Sequence, residues 1–178
     1  MNASGQVVGY SYTANNAQHA FLYSGGTMTD LGTLGGTYSY AQYINAAGHV
    51  AGQSSTTGNA GYHGFLYKNG TMTDLTLGGN YSYVSGLNDA GHVFGQAQDA
   101  NGVYHAFHSN GGTTHNLSVN QYESYPQKMN AAGQVIGYLY TGTSSQPFMY
   151  TPSGGAGTLT VLSFGGTYGY VNDLNDAG

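Results

Sequence analysis

Along this chain, short runs alternate apolar or aromatic positions with polar ones, and the runs are divided by Gly and Asn. Gly5-Gln-Val-Val-Gly-Tyr-Ser-Tyr12, His19-Ala-Phe-Leu-Tyr23, Thr27-Met-Thr-Asp-Leu31 and Tyr38-Ser-Tyr-Ala-Gln-Tyr-Ile44 come first, and the same four types return in the same order. Alternation with period two reads as half-buried strand, and no segment carries the 3.6-residue period of a helix. A corner of the form Asn-x-(Ala/Ser)-Gly recurs at Asn2, Asn45, Asn88, Asn130 and Asn175, which sets a repeat of 42 to 45 residues. Four short strands in a repeat of that length make one propeller blade.

The turns have physical reasons. In the corner, the Asn side chain starts a turn and Gly takes a positive φ, as in a hairpin with a bulge. Lys68-Asn-Gly70 is a tight hairpin signal. The expected architecture is therefore all-β: one domain over 1–178, a four-bladed β-propeller with four antiparallel strands per blade. The repeats run over 2–44, 45–87, 88–129 and 130–174. The first strand of the opening blade is expected from the C-terminus, at Tyr168–Leu174, so that the N- and C-terminal strands close the last blade together. One corner is then surplus, because Met1–Gly5 and Leu174–Gly178 both encode it. Two chains closing an eight-bladed ring, or strand exchange running on as a filament, are the alternatives. The start at the repeat's own corner reads as a cut inside a longer product or as a mature domain, with any targeting signal outside this chain.

Composition narrows the partners. Only 5% of the 178 residues are charged, the net charge is −5, and Lys68 and Lys128 are the sole cations. Such a surface cannot neutralise a row of phosphates or settle on anionic lipid, so neither nucleic acid nor a membrane is an expected partner. No apolar run is long enough to insert in a bilayer as a helix. With 31 Gly and 18 Tyr and no Cys, solubility has to come from hydroxyls and amides.

His19-Ala-Phe21, His63-Gly-Phe65 and His105-Ala-Phe107, with Gln146-Pro-Phe148 as a degenerate fourth copy, carry a family likeness. Together with the 30–39 stretch (Asp-Leu-Gly-Thr-Leu-Gly-Gly-Thr-Tyr-Ser) and the Asn corner, they make the chain resemble the bacterial extracellular HAF-repeat proteins. The resemblance covers the whole chain. It implies secretion or exposure at a bacterial cell surface, and supplies no catalytic residues.

Three equivalent histidines invite a metal ring. On the third strand of each blade, however, His19, His63 and His105 lie roughly 10 Å outside the innermost strand, too far apart to share a zinc at about 2.0–2.1 Å per ligand. They are expected to act as structural tethers, with no metal and no cofactor. His108 and His115 have no assigned role. Asp30 and Asp74 read as surface or turn residues. No Gly-x-Ser-x-Gly elbow, His-Glu-x-x-His or Walker loop is present.

The innermost strand is the better place for a ligand, since it would line the channel. Tyr40, Tyr83, Tyr125 and Tyr170 form one column and Ile44, Leu87, Met129 and Leu174 another, both expected in the core. Gln42, Ser85, Gln127 and Asn172 are polar at mid-strand and are expected to face the channel. Symmetry breaks at Tyr43, Gly86, Lys128 and Asp173, and at Glu123, which stands where Tyr38, Tyr81 and Tyr168 stand elsewhere. Glu123, Lys128 and Asp173 form either an ion pair between blades or a polar pocket at one channel mouth. The expectation is a secreted, non-catalytic binding or scaffold propeller, with neutral glycan as the candidate ligand. A self-assembling surface protein comes second, and a hydrolase or lyase using those three charged residues third.

Overall fold

A computed structural model describes residues 1–154, 157–163 and 165–178. The chain is all-β, with fifteen strands in the described residues. They are β1 (Val7–Tyr12), β2 (Gln18–Ser24), β3 (Thr27–Gly32), β4 (Gly35–Ile44) and β5 (Val50–Thr56). Next come β6 (Tyr62–Lys68), β7 (Thr71–Leu75), β8 (Gly78–Leu87), β9 (Val93–Asp99) and β10 (Tyr104–Ser109). Then follow β11 (Thr114–Asn116), β12 (Glu123–Met129), β13 (Val135–Tyr140), β14 (Ser145–Thr151) and β15 (Thr158–Val161).

Consecutive strands pair antiparallel in four units: β1–β3, β4–β7, β8–β11 and β12–β15. Single parallel bridges, Gln18 to Tyr38 and Tyr62 to Tyr81, join the first three units into one mixed sheet of eleven strands. The fourth unit stands as a separate four-stranded sheet. At this last junction Asn120 and Gln121, both at positive φ, replace the Gly pair of the other repeats.

Cores form between units. Ala20 and Leu31 of the first meet Ala41, Val50 and Phe65 of the second. Leu66 and Leu75 then meet Val84, Val93 and Phe107, and Phe94 and Leu117 meet Val135, Leu139 and Phe148. Phe65, Phe107 and Phe148 have no exposed surface. Each stabilises the fold by roughly 1.5–3 kcal/mol through burial alone. The His-Ala-Phe motif is therefore a packing device, with Phe as the wedge between neighbouring units.

Two side-chain ladders stitch the units together. Ser39, Ser82 and Ser124 accept hydrogen bonds from the backbone N–H groups of Ala20, Gly64 and Ala106 in the preceding unit, at 2.7–2.8 Å. At the corners, the Nδ2 of Asn2, Asn45, Asn88 and Asn130 donates to the backbone carbonyl of the next corner Asn, at 2.9–3.0 Å. Each Asn does two jobs, because its Oδ1 also accepts the N–H four residues on, from Gln6, His49, His92 and Gln134.

The expected closure is absent. β1 pairs with β2 alone, and Tyr168 makes one parallel bridge to Ser145. Residues 169–174, expected as a strand, have no strand partner among the described residues. The repeats form an open row of units and not a closed four-bladed ring. Closure would bring Met1–Gly5 and Leu174–Gly178, which encode the same corner, to one position.

Candidate functional site

The three repeat histidines sit on β2, β6 and β10 and are tied to neighbouring strands. His19 Nδ1 lies 2.8 Å from the Asp30 carboxylate, and His63 Nδ1 lies 2.9 Å from that of Asp74. His63 Nε2 also donates to the Gly79 carbonyl at 3.0 Å, which reaches the next unit. With both nitrogens facing acceptors, the Asp74 hydrogen bond raises the His63 pKa above its usual value, against the opposing effect of burial. In the third repeat Asn116 stands where Asp would be. There His105 bonds the Tyr122 carbonyl at 2.9 Å, and Asp99 lies 3.4 Å from its Nε2. Asp30 and Asp74, read from sequence as surface or turn residues, are thus the partners of His19 and His63. The signal was their constant 11-residue spacing.

His108 and His115 are cross-strand neighbours on β10 and β11, and His108 Nε2 lies 3.2 Å from His92 Nδ1. Burial, followed by the nearby His92 and His115, pushes the His108 pKa down to about 4. Its Nδ1 is buried without a hydrogen-bond partner among the described residues. Among the described residues no group of three metal-ligating side chains is arranged to hold an ion.

The innermost-strand candidates divide. Gln42, Ser85 and Gln127 fall where the register of β4, β8 and β12 slips by one residue, so they are bulged, unpaired and exposed. Asn172 is exposed in the unpaired C-terminal segment. Tyr43 packs half-buried on the core between the second and third units. Ile44, Leu87 and Met129 pack on the three cores. The tyrosine column does not share that burial. Tyr40 and Tyr125 are half-buried, but Tyr83 is 44% exposed and Tyr170 64%. Alternation turns these rings away from the cores that their neighbours Ala41 and Val84 enter.

The three charged candidates are not brought together. Lys128 pairs with Asp173 in a groove of about 560 Å³ that also holds Asn88, Asn130 and Asn175. Glu123 opens the same strand, β12, five residues away, roughly 17 Å along an extended chain. It accepts the Tyr125 hydroxyl at 2.7 Å, and that hydrogen bond, reinforced by burial, pushes the phenol up to about 12.

What gathers around Tyr125 is aromatic. A cleft of about 290 Å³ is lined by Tyr125, Tyr138, Tyr140, Ser145, Tyr168 and Tyr170. Cross-strand pairing of β12 with β13 sets Tyr125 opposite Tyr138, and their rings stack at 5.0 Å and 16°. The period of two puts Tyr140 on the same face, and the Ser145–Tyr168 bridge brings in the C-terminal segment. Tyr170 meets Tyr138 edge to face at 5.9 Å. The cleft offers flat apolar ring faces with hydroxyl rims, and no charged side chain lines it. A second groove of about 260 Å³ lies beside the His19–Asp30 pair, bordered by Tyr12 and Met28. It has one tyrosine and no stacked pair.

No family model and no curated protein matches the chain. Among solved structures it is similar to that of a putative TolB from Agrobacterium tumefaciens, at 12% identity and a TM-score of 0.52. That match covers 88% of this chain and 60% of the other. TolB from Acinetobacter baumannii is also similar, at 14% identity and a TM-score of 0.48, over 89% of this chain and 41% of that one. TolB has a β-propeller domain, and the first likeness makes the fold here propeller-like. The chain spans about 60% of the length of that neighbour.

Proposed function

We propose that this chain is a non-catalytic binding or scaffold module of a secreted or envelope-exposed propeller, and that its tyrosine cleft takes a neutral glycan. The observation that carries the reading is the stacked Tyr125–Tyr138 pair with Tyr170 edge-on beside it, in a cleft lined by no charged side chain. A sugar ring presents C–H groups on its faces and hydroxyls around its rim. Tyrosine faces meet the first, and phenol hydroxyls meet the second. Glu123 stays on its tyrosine partner at the cleft's edge.

The finer architecture belongs to the same proposal: the units are blades of the bacterial HAF-repeat type, each resting on the next through Phe, Ser and Asn. That resemblance also supports placing the protein outside the cytoplasm. A hydrolase or lyase reading required Glu123, Lys128 and Asp173 in one site, and β12 holds the first away from the other two.

A glycan array followed by calorimetric titration tests the proposal. Binding to one or more neutral oligosaccharides is expected, weakened at least tenfold in Tyr138→Ala while circular dichroism stays unchanged. Absence of binding to every neutral glycan on the array, or full affinity in Tyr138→Ala, overturns it.

A further inference from the structure

We propose that the uncovered edge of β1 is a docking surface for a second copy of this chain, which adds its 169–174 segment there as the missing first strand, head to tail. β5, β9 and β13 are each paired on both edges, with β4, β8 or β12 on one side and β6, β10 or β14 on the other. β1, their counterpart in the repeat, has β2 alone.

The C-terminal segment shows the complementary deficit. It is laid against the fourth unit by Ser145 N–H to the Thr167 carbonyl at 2.9 Å and Gly169 N–H to the Ser145 carbonyl at 2.8 Å. The Asn130 side chain and the Lys128–Asp173 pair hold it further along. This is how β4 and β8 begin, each with a parallel bridge to the unit before it. Its far edge then meets no strand among the described residues. Each of these edges carries a row of unpaired N–H and C=O groups, which makes it a template for pairing with another chain.

Gly9 is an independent sign of what belongs there. A Cβ at Gly52, Gly95 or Gly137 would run into the carbonyl oxygen of Tyr40, Tyr83 or Tyr125 on the covering strand, and would also press on Phe65, Phe107 or Phe148. Gly9 has the matching Phe21 ring at 3.1 Å but no carbonyl above it. The repeat register supplies one. Leu174 falls opposite Val7, Asp173 opposite Val8, Val171 opposite Gly9 and Tyr170 opposite Tyr10, with Asn172 as the bulged residue. The Tyr170 carbonyl then fills the place above Gly9.

The side chains agree with that register. Tyr10, Tyr12, Tyr168 and Tyr170 are 54%, 64%, 67% and 64% exposed, more than any other tyrosine in the described residues. All four lie on these two edges. Docking sets Tyr170 across from Tyr10 as Tyr125 is set across from Tyr138, whose rings stack. At the corner, Asn175 has no partner for its Nδ2 among the described residues. In the seam it displaces Asn2 of the second copy and donates to the Asn45 carbonyl that Asn2 holds in the single chain. Met1–Gly5, with Met1 86% exposed, gives way.

The chain has no cysteine, which makes a cross-linking test clean. Tyr10→Cys and Tyr170→Cys are made as separate variants at exposed positions, then mixed and oxidised. The mixture is expected to give a disulfide dimer at twice the 18.5 kDa chain mass, with neither variant linking alone. Light scattering on the unsubstituted chain is expected to show a mass rising with concentration, and a chain ending before residue 168 to stay monomeric. A monomer at every concentration overturns the proposal. So does a mixture that forms no dimer, or an internal disulfide in the doubly substituted chain, which would mean that one chain closes on itself.

Discussion

Pro147 and Gly169 face each other across the junction between the fourth unit and the C-terminal segment, and each accounts for the other. In the three preceding junctions an Ala or Gly N–H donates to a buried Ser hydroxyl: Ala20 to Ser39, Gly64 to Ser82, Ala106 to Ser124. Pro147 has no N–H to donate, and Gly169 has no hydroxyl to receive it. A Cβ at Gly169 would come within 2.8 Å of the Pro147 ring. Gly169→Ser alone is therefore expected to destabilise the junction. Pro147→Ala with Gly169→Ser restores the ladder, with a coupling of about 1 kcal/mol or more in a double-mutant cycle followed by chemical denaturation.

The His63–Asp74 tether sets a stability limit on the alkaline side. Because Asp74 raises the His63 pKa in the folded chain, the bound proton stabilises the fold fully below the ordinary histidine value, and this contribution is lost as pH rises through the folded one. Asp74→Asn should remove this dependence and cost about 1 kcal/mol at pH 6, given the partial exposure of the carboxylate. Melting temperatures of both proteins from pH 5 to 8 check it. The two curves converge at high pH.

His108 acts in the opposite sense. It is buried neutral, with His92, His115 and the Tyr150 ring around it. Its pKa of about 4 lies below that of the unfolded chain. Acid therefore favours the unfolded state as pH falls from about 6.5 to 4, by up to roughly 3 kcal/mol. His108→Leu, which restores the residue that Leu22 and Leu66 hold at this repeat position, is expected to flatten the acid limb of a stability–pH curve.

The corner asparagines are not equivalent. Asn88 accepts the His92 N–H and donates to the Asn130 and Ala131 carbonyls, so Asn88→Ala should cost about 2 kcal/mol. Among the described residues the Asn175 side chain accepts N–H groups only from Ala177 and Gly178. Asn175→Ala should cost well under about 1 kcal/mol in dilute solution. Urea denaturation of the two variants side by side measures the difference.

Gln121 holds a φ of 60°, a left-handed conformation that strains a side chain with a Cβ. Gln121→Gly is expected to stabilise the chain by about 0.5–1 kcal/mol, net of the entropy that Gly loses on folding. A rise in melting temperature of a few degrees is the readout.

Much of this molecule is written locally. The repeat period, the strand order within each unit and the Asn corners follow from alternation and turn chemistry, which act over a few residues and need no knowledge of the rest. The candidate site was less legible. Tyr125 was readable as one of a repeated column, but not its stacking on Tyr138, since Gln53 and Gln96 occupy the matching position in the second and third units. Glu123 and Lys128 look like neighbours on a strand diagram, yet an extended chain carries them to opposite ends of β12.

The amino-acid sequence by itself determined that this protein is built of similar β-units, each turning at an Asn-x-x-Gly corner, because those signals are local and repeat. Only the tertiary structure decided that the row stays open. Whether β1 meets residues 169–174 depends on rotations summed over successive junctions and on a corner encoded twice, which no single repeat contains.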